Sequence, residues 1–227
     1  MAYNIKTKME SLKGHLVFLG TVIEENLECA IKSLLEKNID LAYQVVQTDK
    51  IEVDSIEIDV EEECLGIMAL HQPVACDLRF LVTVLKVNAD LERIGDLVAK
   101  IADKVLLIYK EDPAFFLSSA MQVPERIHFM FDKTIWMFKQ TMEAFVQEDT
   151  DLAYKVCLAD DDVDLDKQLI YQDLEKMIME DVNQVIYLAK MLSVARSTER
   201  IADHCTNICE DILYMAQGRI VRHIVME

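Results

Sequence analysis

The sequence carries one five-residue pattern twice, as Glu92-Arg93-Ile94-Gly95-Asp96 and as Glu199-Arg200-Ile201-Ala202-Asp203. Each copy sets a Glu four residues ahead of an Asp, one turn apart on a helix. Such a pair repels itself by roughly 0.2–0.5 kcal/mol unless a cation sits between its members. A repulsion repeated in this way points to multivalent cation binding. Carboxylate oxygens suit hard cations and first-row metals such as iron, manganese or zinc, and carboxylates at i and i+4 can bridge neighbouring ions. The same spacing also serves as an ordinary solvated face in acidic helical proteins. Arg93 and Arg200, three residues before each Asp, would then form surface ion pairs of little worth.

The repetition extends beyond the motif. Asp40-Leu41-Ala42-Tyr43 returns as Asp151-Leu152-Ala153-Tyr154 at an offset of 111, Val53-Asp54 as Val163-Asp164 at 110, and Glu92 as Glu199 at 107. Repeats of roughly a hundred residues are far longer than the about 20–50 residues of solenoid units, so the pattern reads as an internal duplication with two pseudo-symmetric halves.

The elements that must position these residues are long helices. Only 5 Gly and 3 Pro interrupt 227 residues of which 52% are hydrophobic, and the apolar positions recur at helical spacing. The spacing predicts an all-α chain of six helices at about 5–36, 39–71, 75–110, 123–147, 150–179 and 182–217. Three fall in residues 1–112 and three in 113–227, giving two three-helix bundles joined through the segment from Pro113 to Pro124.

On the third helix Val87, Ile94, Val98, Ile101, Val105 and Ile108 share one side, and a step of about 100° per residue sets Glu92, Asp96 and Asp103 on the other. The sixth repeats this, with Val194, Ile201, Cys205, Ile208 and Ile212 inward and Glu199, Asp203 and Glu210 outward. The acids are therefore expected on the bundle surface. Cys205 and Cys209 are expected as buried thiols. His204 is expected to be a partly exposed bystander.

A formal charge of −18 argues against nucleic acid and anionic membrane surfaces, which call for clustered Lys and Arg. No apolar run approaches the about 20 residues needed to span a bilayer, and Met1 to Met9 lacks the apolar core of a signal peptide. A cytoplasmic chain is expected. No Gly-rich phosphate loop, dinucleotide fingerprint or nucleophile elbow is present, so catalysis has little support.

Gln72-Pro73-Val74-Ala75-Cys76-Asp77-Leu78-Arg79, followed by Asp90-Leu91-Glu92-Arg93-Ile94-Gly95-Asp96, closely resembles the PhoU family, regulators of bacterial phosphate transport. The second half agrees through Arg196-Ser197-Thr198-Glu199-Arg200-Ile201-Ala202-Asp203-His204-Cys205-Thr206-Asn207-Ile208. The resemblance implies two three-helix bundles, multinuclear metal clusters, often iron, held by the Glu/Asp-x-x-x-Asp motifs, and a homodimer as the assembly. It also implies restraint of phosphate uptake and of starvation signalling through the transporter's ATPase subunit and a sensor histidine kinase, with membrane association through those partners only.

Two departures separate the halves. The family's Asn after the motif is present as Asn207, but Lys100 takes its place in the first half. Asp160 and Asp164 form an acidic pair on the fifth helix, where an offset of 110 sets Lys50 and Asp54 in the first half. Asp49 can replace the missing carboxylate only if the helix shifts register. The expected metal set is Asp160, Asp164, Glu199, Asp203, Asn207 and Glu210 in the second half, with Asp54, Glu92, Asp96 and Asp103 as a weaker first-half face beside Lys50 and Lys100. Two other function classes stay open: a carboxylate-bridged di-iron enzyme, for which Glu125 and His128 supply the single Glu-x-x-His motif, and a metal-free helical scaffold.

Overall fold

The computed structural model describes residues 2–218, with side chains from Ile5 onward. Its helices are α1 (Ala2–Leu35), α2 (Ile39–Thr48), α3 (Asp54–His71), α4 (Ala75–Glu111), α5 (Pro113–Leu117), α6 (Glu125–Gln147), α7 (Thr150–Glu180) and α8 (Val185–Gln217). A π turn, Asp49–Val53, joins α2 to α3, and a 3-10 turn, Val182–Gln184, precedes α8. The described residues contain no strand, and no described helix is long and apolar enough to cross a membrane. The six expected helices are present, with the second divided by the π turn and α5 added in the segment between the halves. Asp112 begins that short helix by accepting from the Phe115 amide, with Pro113 at its first position, where no N–H partner is needed.

Local chemistry repeats along with the sequence. Lys37 and Glu148 both take a left-handed backbone conformation after α1 and α6. The next residues, Asn38 and Asp149, then cap the following helices by accepting from the backbone N–H groups of Asp40 and of Asp151 and Leu152.

The π turn has a cause visible in the numbering. Val53 follows Asp40 by thirteen positions, whereas Val163 follows Asp151 by twelve. An extra residue in an unbroken α-helix would rotate everything after it by about 100°. Ala42 and Val45 before the insertion, and Val53 and Val60 after it, all lie in the core. One wider turn absorbs the extra residue and keeps both stretches of the stripe facing inward. In α7, which lacks the insertion, Ala153, Val156, Val163 and Ile170 are buried along continuous α-helix.

The two halves meet along α4 and α8, which run antiparallel. Lys86 Nζ lies 2.9 Å from the buried Asp211 Oδ1, and Lys190 at the other end lies 2.5 Å from Glu111 Oε2. Both helices bury far more than one stripe: Leu81, Val84, Leu91 and Leu97 on α4 join the expected set, as do Leu188, Met191 and Leu213 on α8. Such wide apolar coats belong to helices packed on several sides. One contiguous core therefore runs from Leu12 in α1 to Leu213 in α8 through both repeats.

Candidate metal centre

In the second half, α7 sets Asp160 and Asp164 against Glu199 and Asp203 of α8. Burial, then the charges of Asp203, Asp164 and Glu199, push the Asp160 carboxyl up to about 7. The Asp203 carboxyl is raised by burial and then by Glu199 and Asp164, with Lys167 and His204 opposing. Asp160, Glu199 and Asp203 are partly sunk between helices, not displayed on an open outer face as the periodicity suggested, and Glu199 is only 14% exposed, whereas Asp164 is exposed.

The expectation of an all-oxygen face is corrected by Lys167. Its ammonium donates to Glu199 Oε1 at 2.5 Å and lies 3.4 Å from Asp164 Oδ1. That bond to Glu199 is the main reason its own protonation is strengthened. Asn207 and Glu210, one and two turns beyond Asp203, are partly buried. His204 is no bystander: its Nδ1 lies 2.7 Å from Asp90 Oδ1 across the α4–α8 seam.

In the first half, the carboxylate that matches Asp160 is Asp49. The insertion follows it, so the offset of 111 still applies there and Lys50 falls outside the match. Lys50 is exposed, while Asp49 is 8% exposed and faces α4. Among the described residues its carboxylate receives no hydrogen bond and forms no ion pair. Burial, then Asp96, Asp54 and Glu92, push it up to about 6, with Lys100 opposing. Glu57, where the second half has Lys167, is raised by burial and then by Glu61, Glu92 and Asp54. Glu92 is raised by burial, partly offset by Arg93. Asp54, Glu57, Glu92, Asp90 and Lys86 line a groove of about 680 Å³ between α3 and α4. Asp103 does not join this group; it is exposed further along α4, in a groove with Tyr43, Lys100, Lys104 and Lys110.

Among the described residues no three His, Cys, Asp or Glu side chains are already gathered tightly enough to hold a metal ion. Basic side chains stand among the acids instead: Arg93 lies 3.4 Å from Glu92 and 3.6 Å from Asp96, and Lys100 lies 3.4 Å from Asp96. Carboxylate oxygen is the donor type that hard or borderline cations take, and a cation beside Asp49 would relieve the burial and like-charge cost set by Asp96, Asp54 and Glu92.

The family model described as the PhoU domain matches residues 16–105 and again 127–212. The chain belongs to the PhoU family. It is 33% identical over 217 residues to the phosphate-specific transport system accessory protein PhoU of Escherichia coli K12, covering 96% of this chain and 87% of that protein. It is 30% identical over 226 residues to a PhoU homolog from Pseudomonas putida with the same descriptive name, covering 99% of this chain and 85% of the relative. The crystal structure of PhoU from Pseudomonas aeruginosa superposes with a TM-score of 0.85 at 29% identity, covering 94% of this chain and 99% of that one. PhoU from Streptococcus pneumoniae shares the fold at a TM-score of 0.85 and 24% identity, covering 96% of this chain and 99% of that one.

Within this PhoU fold, Glu57 and Lys167 are the members that sequence reasoning missed, and Asp49 is the one it admitted only on a register shift. The drift from 111 to 110 between Tyr43 and Val53 held the signal for Asp49. Gly95 marks the close approach of the π turn to α4: a Cβ there would lie 3.0 Å from both Asp49 Oδ1 and Val53 Cγ1. The second half has no insertion and carries Ala202 at the matching position. Gly95→Ala should therefore cost about 1–3 kcal/mol of stability, read by urea denaturation, whereas Ala202→Gly should cost about 1 kcal/mol through helix propensity alone. Equal small effects would mean that the turn does not depend on that clearance.

Proposed function

We propose that this chain is a non-enzymatic, cytoplasmic regulator of phosphate uptake and phosphate-starvation signalling, acting on the ATPase subunit of a phosphate ABC transporter and on a sensor histidine kinase. The observation that carries this reading is similarity across both repeats to relatives named as accessory proteins of the phosphate-specific transport system. In the same reading, iron, manganese or zinc binds the paired acidic clusters. Asp49, Asp54, Glu57, Glu92 and Asp96 would hold it in one half, and Asp160, Asp164, Glu199 and Asp203 in the other. A bound cation would supply positive charge between α3 and α4, or between α7 and α8, and so tighten the faces that a partner meets. The protein's own groups position the acids: the π turn aims Asp49, and the α4–α8 seam fixes the two motif helices.

Deleting the gene in its source bacterium should raise alkaline phosphatase expression in phosphate-replete medium, and the protein isolated from native membrane extract should bring an ABC-transporter ATPase subunit with it. Unchanged phosphatase expression together with no recovered ATPase would overturn the assignment. One observation favours a metal-free scaffold as a second reading: Lys167, Arg93 and Lys100 already offset part of the acidic charge. Elemental analysis of protein purified without a metal-affinity tag separates the two readings. The di-iron alternative gains no support, since Glu125 and His128 stand in the first turn of α6, apart from both clusters.

A further inference from the structure

We infer that Cys157 and Cys209 are a modification site for peroxides, at which oxidation forms a disulfide tying α7 to α8. This site is separate from the acidic clusters and needs neither the cation nor the transporter reading. Spacing alone reads Cys205 and Cys209 as buried thiols and does not bring Cys157 to them.

The packing of α7 on α8 does. The two helices run antiparallel, and Lys167 meets Glu199 at 2.5 Å. Cys157 stands ten residues back along α7, and Cys209 ten residues on along α8, both on unbroken α-helix. Equal steps in opposite directions put the two cysteines at one height in the bundle. There the Cys209 thiol lies within hydrogen-bond reach of Cys157. Thr141 of α6 closes the third side, with its Oγ1 3.6 Å from Cys209 Sγ. That hydroxyl donates its one proton to the Met137 carbonyl at 2.8 Å, so it accepts from the Cys209 S–H and holds the sulfur in place. In the first half the positions that match Cys157, Cys205 and Cys209 are Val46, Val98 and Ala102. Apolar filling therefore serves one repeat, and the other has three sulfurs in its stead.

Exposure sets the order of events. Cys157 is partly exposed, whereas Cys205 and Cys209 are fully buried, so hydrogen peroxide meets the Cys157 sulfur first. That sulfur bonds to one peroxide oxygen, the O–O bond breaks, and the departing hydroxide takes the Cys157 proton as water. A sulfenic acid is left. The Cys209 sulfur then attacks the Cys157 sulfur, the S–O bond breaks, and the hydroxide released takes the Cys209 proton as a second water. Two thiols and one peroxide become one disulfide and two waters, with two electrons passing to the peroxide. A resolving thiol already in contact outruns further oxidation, and thiol exchange with a small reductant restores both cysteines.

Full-length protein treated with hydrogen peroxide, run as monomer on a non-reducing gel with N-ethylmaleimide and then digested with trypsin, tests this pairing by mass spectrometry. The Cys157 and Cys209 peptides should appear joined with the loss of two hydrogens, and dithiothreitol should separate them. Cys205 shares its tryptic peptide with Cys209, so variants carrying the residue types of the first half decide between them. Cys157→Val and Cys209→Ala should each abolish the joined peptide, and Cys205→Val should retain it. Oxidation of the exposed Cys76 without any joined peptide would overturn the inference, because the oxidant had then acted and the pair had not closed. A joined peptide that persists in Cys209→Ala, or a Cys157 sulfinic acid in place of the disulfide, would overturn it equally.

Discussion

Ile201→Ala should lower the melting temperature by roughly 4–20 °C while leaving a single cooperative transition. Ile201 is fully buried on α8, between Arg200 and Ala202 of the second motif. Truncating a buried Ile to Ala removes transfer free energy and leaves a cavity, at about 2–5 kcal/mol. In a protein of this size about 1 kcal/mol moves the midpoint by about 2–4 °C. Arg200→Ala, one residue away but exposed, should change stability by no more than about 0.5 kcal/mol. Cooperativity is the more informative readout, because the contiguous core couples the repeats across α4 and α8. Differential scanning calorimetry that resolves two transitions, only one of them shifted, would show that the halves melt as independent bundles.

Raising the pH of the metal-free protein from 5 to 8 should lower its melting temperature by about 4–8 °C. The sign follows from carboxyls whose folded pKa lies above the unfolded value. Asp160 rises from 3.8 to about 7 and Asp49 from 3.8 to about 6. The folded state therefore binds more protons than the unfolded state between pH 4 and 7. Stability is lost as pH rises through the folded values, and the full cost applies above them. Solvent screening of partly exposed groups reduces the total to on the order of 2 kcal/mol, or about 4–8 °C. Asp203, Glu92 and Glu57 are shifted in the same direction and add to the slope. Asp49→Asn with Asp160→Asn should flatten the profile and raise the midpoint at pH 8, and saturating Mn(II) should restore wild type at that pH. A midpoint that holds or rises between pH 5 and 8 in metal-free wild type would show that the clusters carry no unrelieved repulsion.

Core packing and carboxylate charge oppose one another within the same five residues. Ile94 and Ile201 hold the motif helices in the core, while Glu92 and Asp203, whose carboxyls burial raises, place charge beside them that the metal-free fold tolerates at a cost. Perturbed acids of this kind concentrate at functional sites.

The sequence by itself determined the helices, the duplication and the motif acids, because each is written in local spacing. Apolar residues three and four apart define a helix face whatever lies beyond it, and Asn38 and Asp149 announce their helices by chemistry confined to one turn. The inward stripe of α4, from Val87 to Ile108, lies where the periodicity sets it. What crosses from one helix to another was decided only by the tertiary structure. The numbering revealed an extra residue between Tyr43 and Val53 but not its absorption; core burial on both sides of the insertion selected the π turn and aimed Asp49 at α4. Nothing in local spacing distinguishes Lys167, and its meeting with Glu199 depends on the rotation and height of α7 against α8. Partial burial of the acids likewise comes from neighbouring helices closing over them. A one-dimensional pattern fixes which side of a helix a residue occupies, whereas the charge it meets there is set by packing between helices.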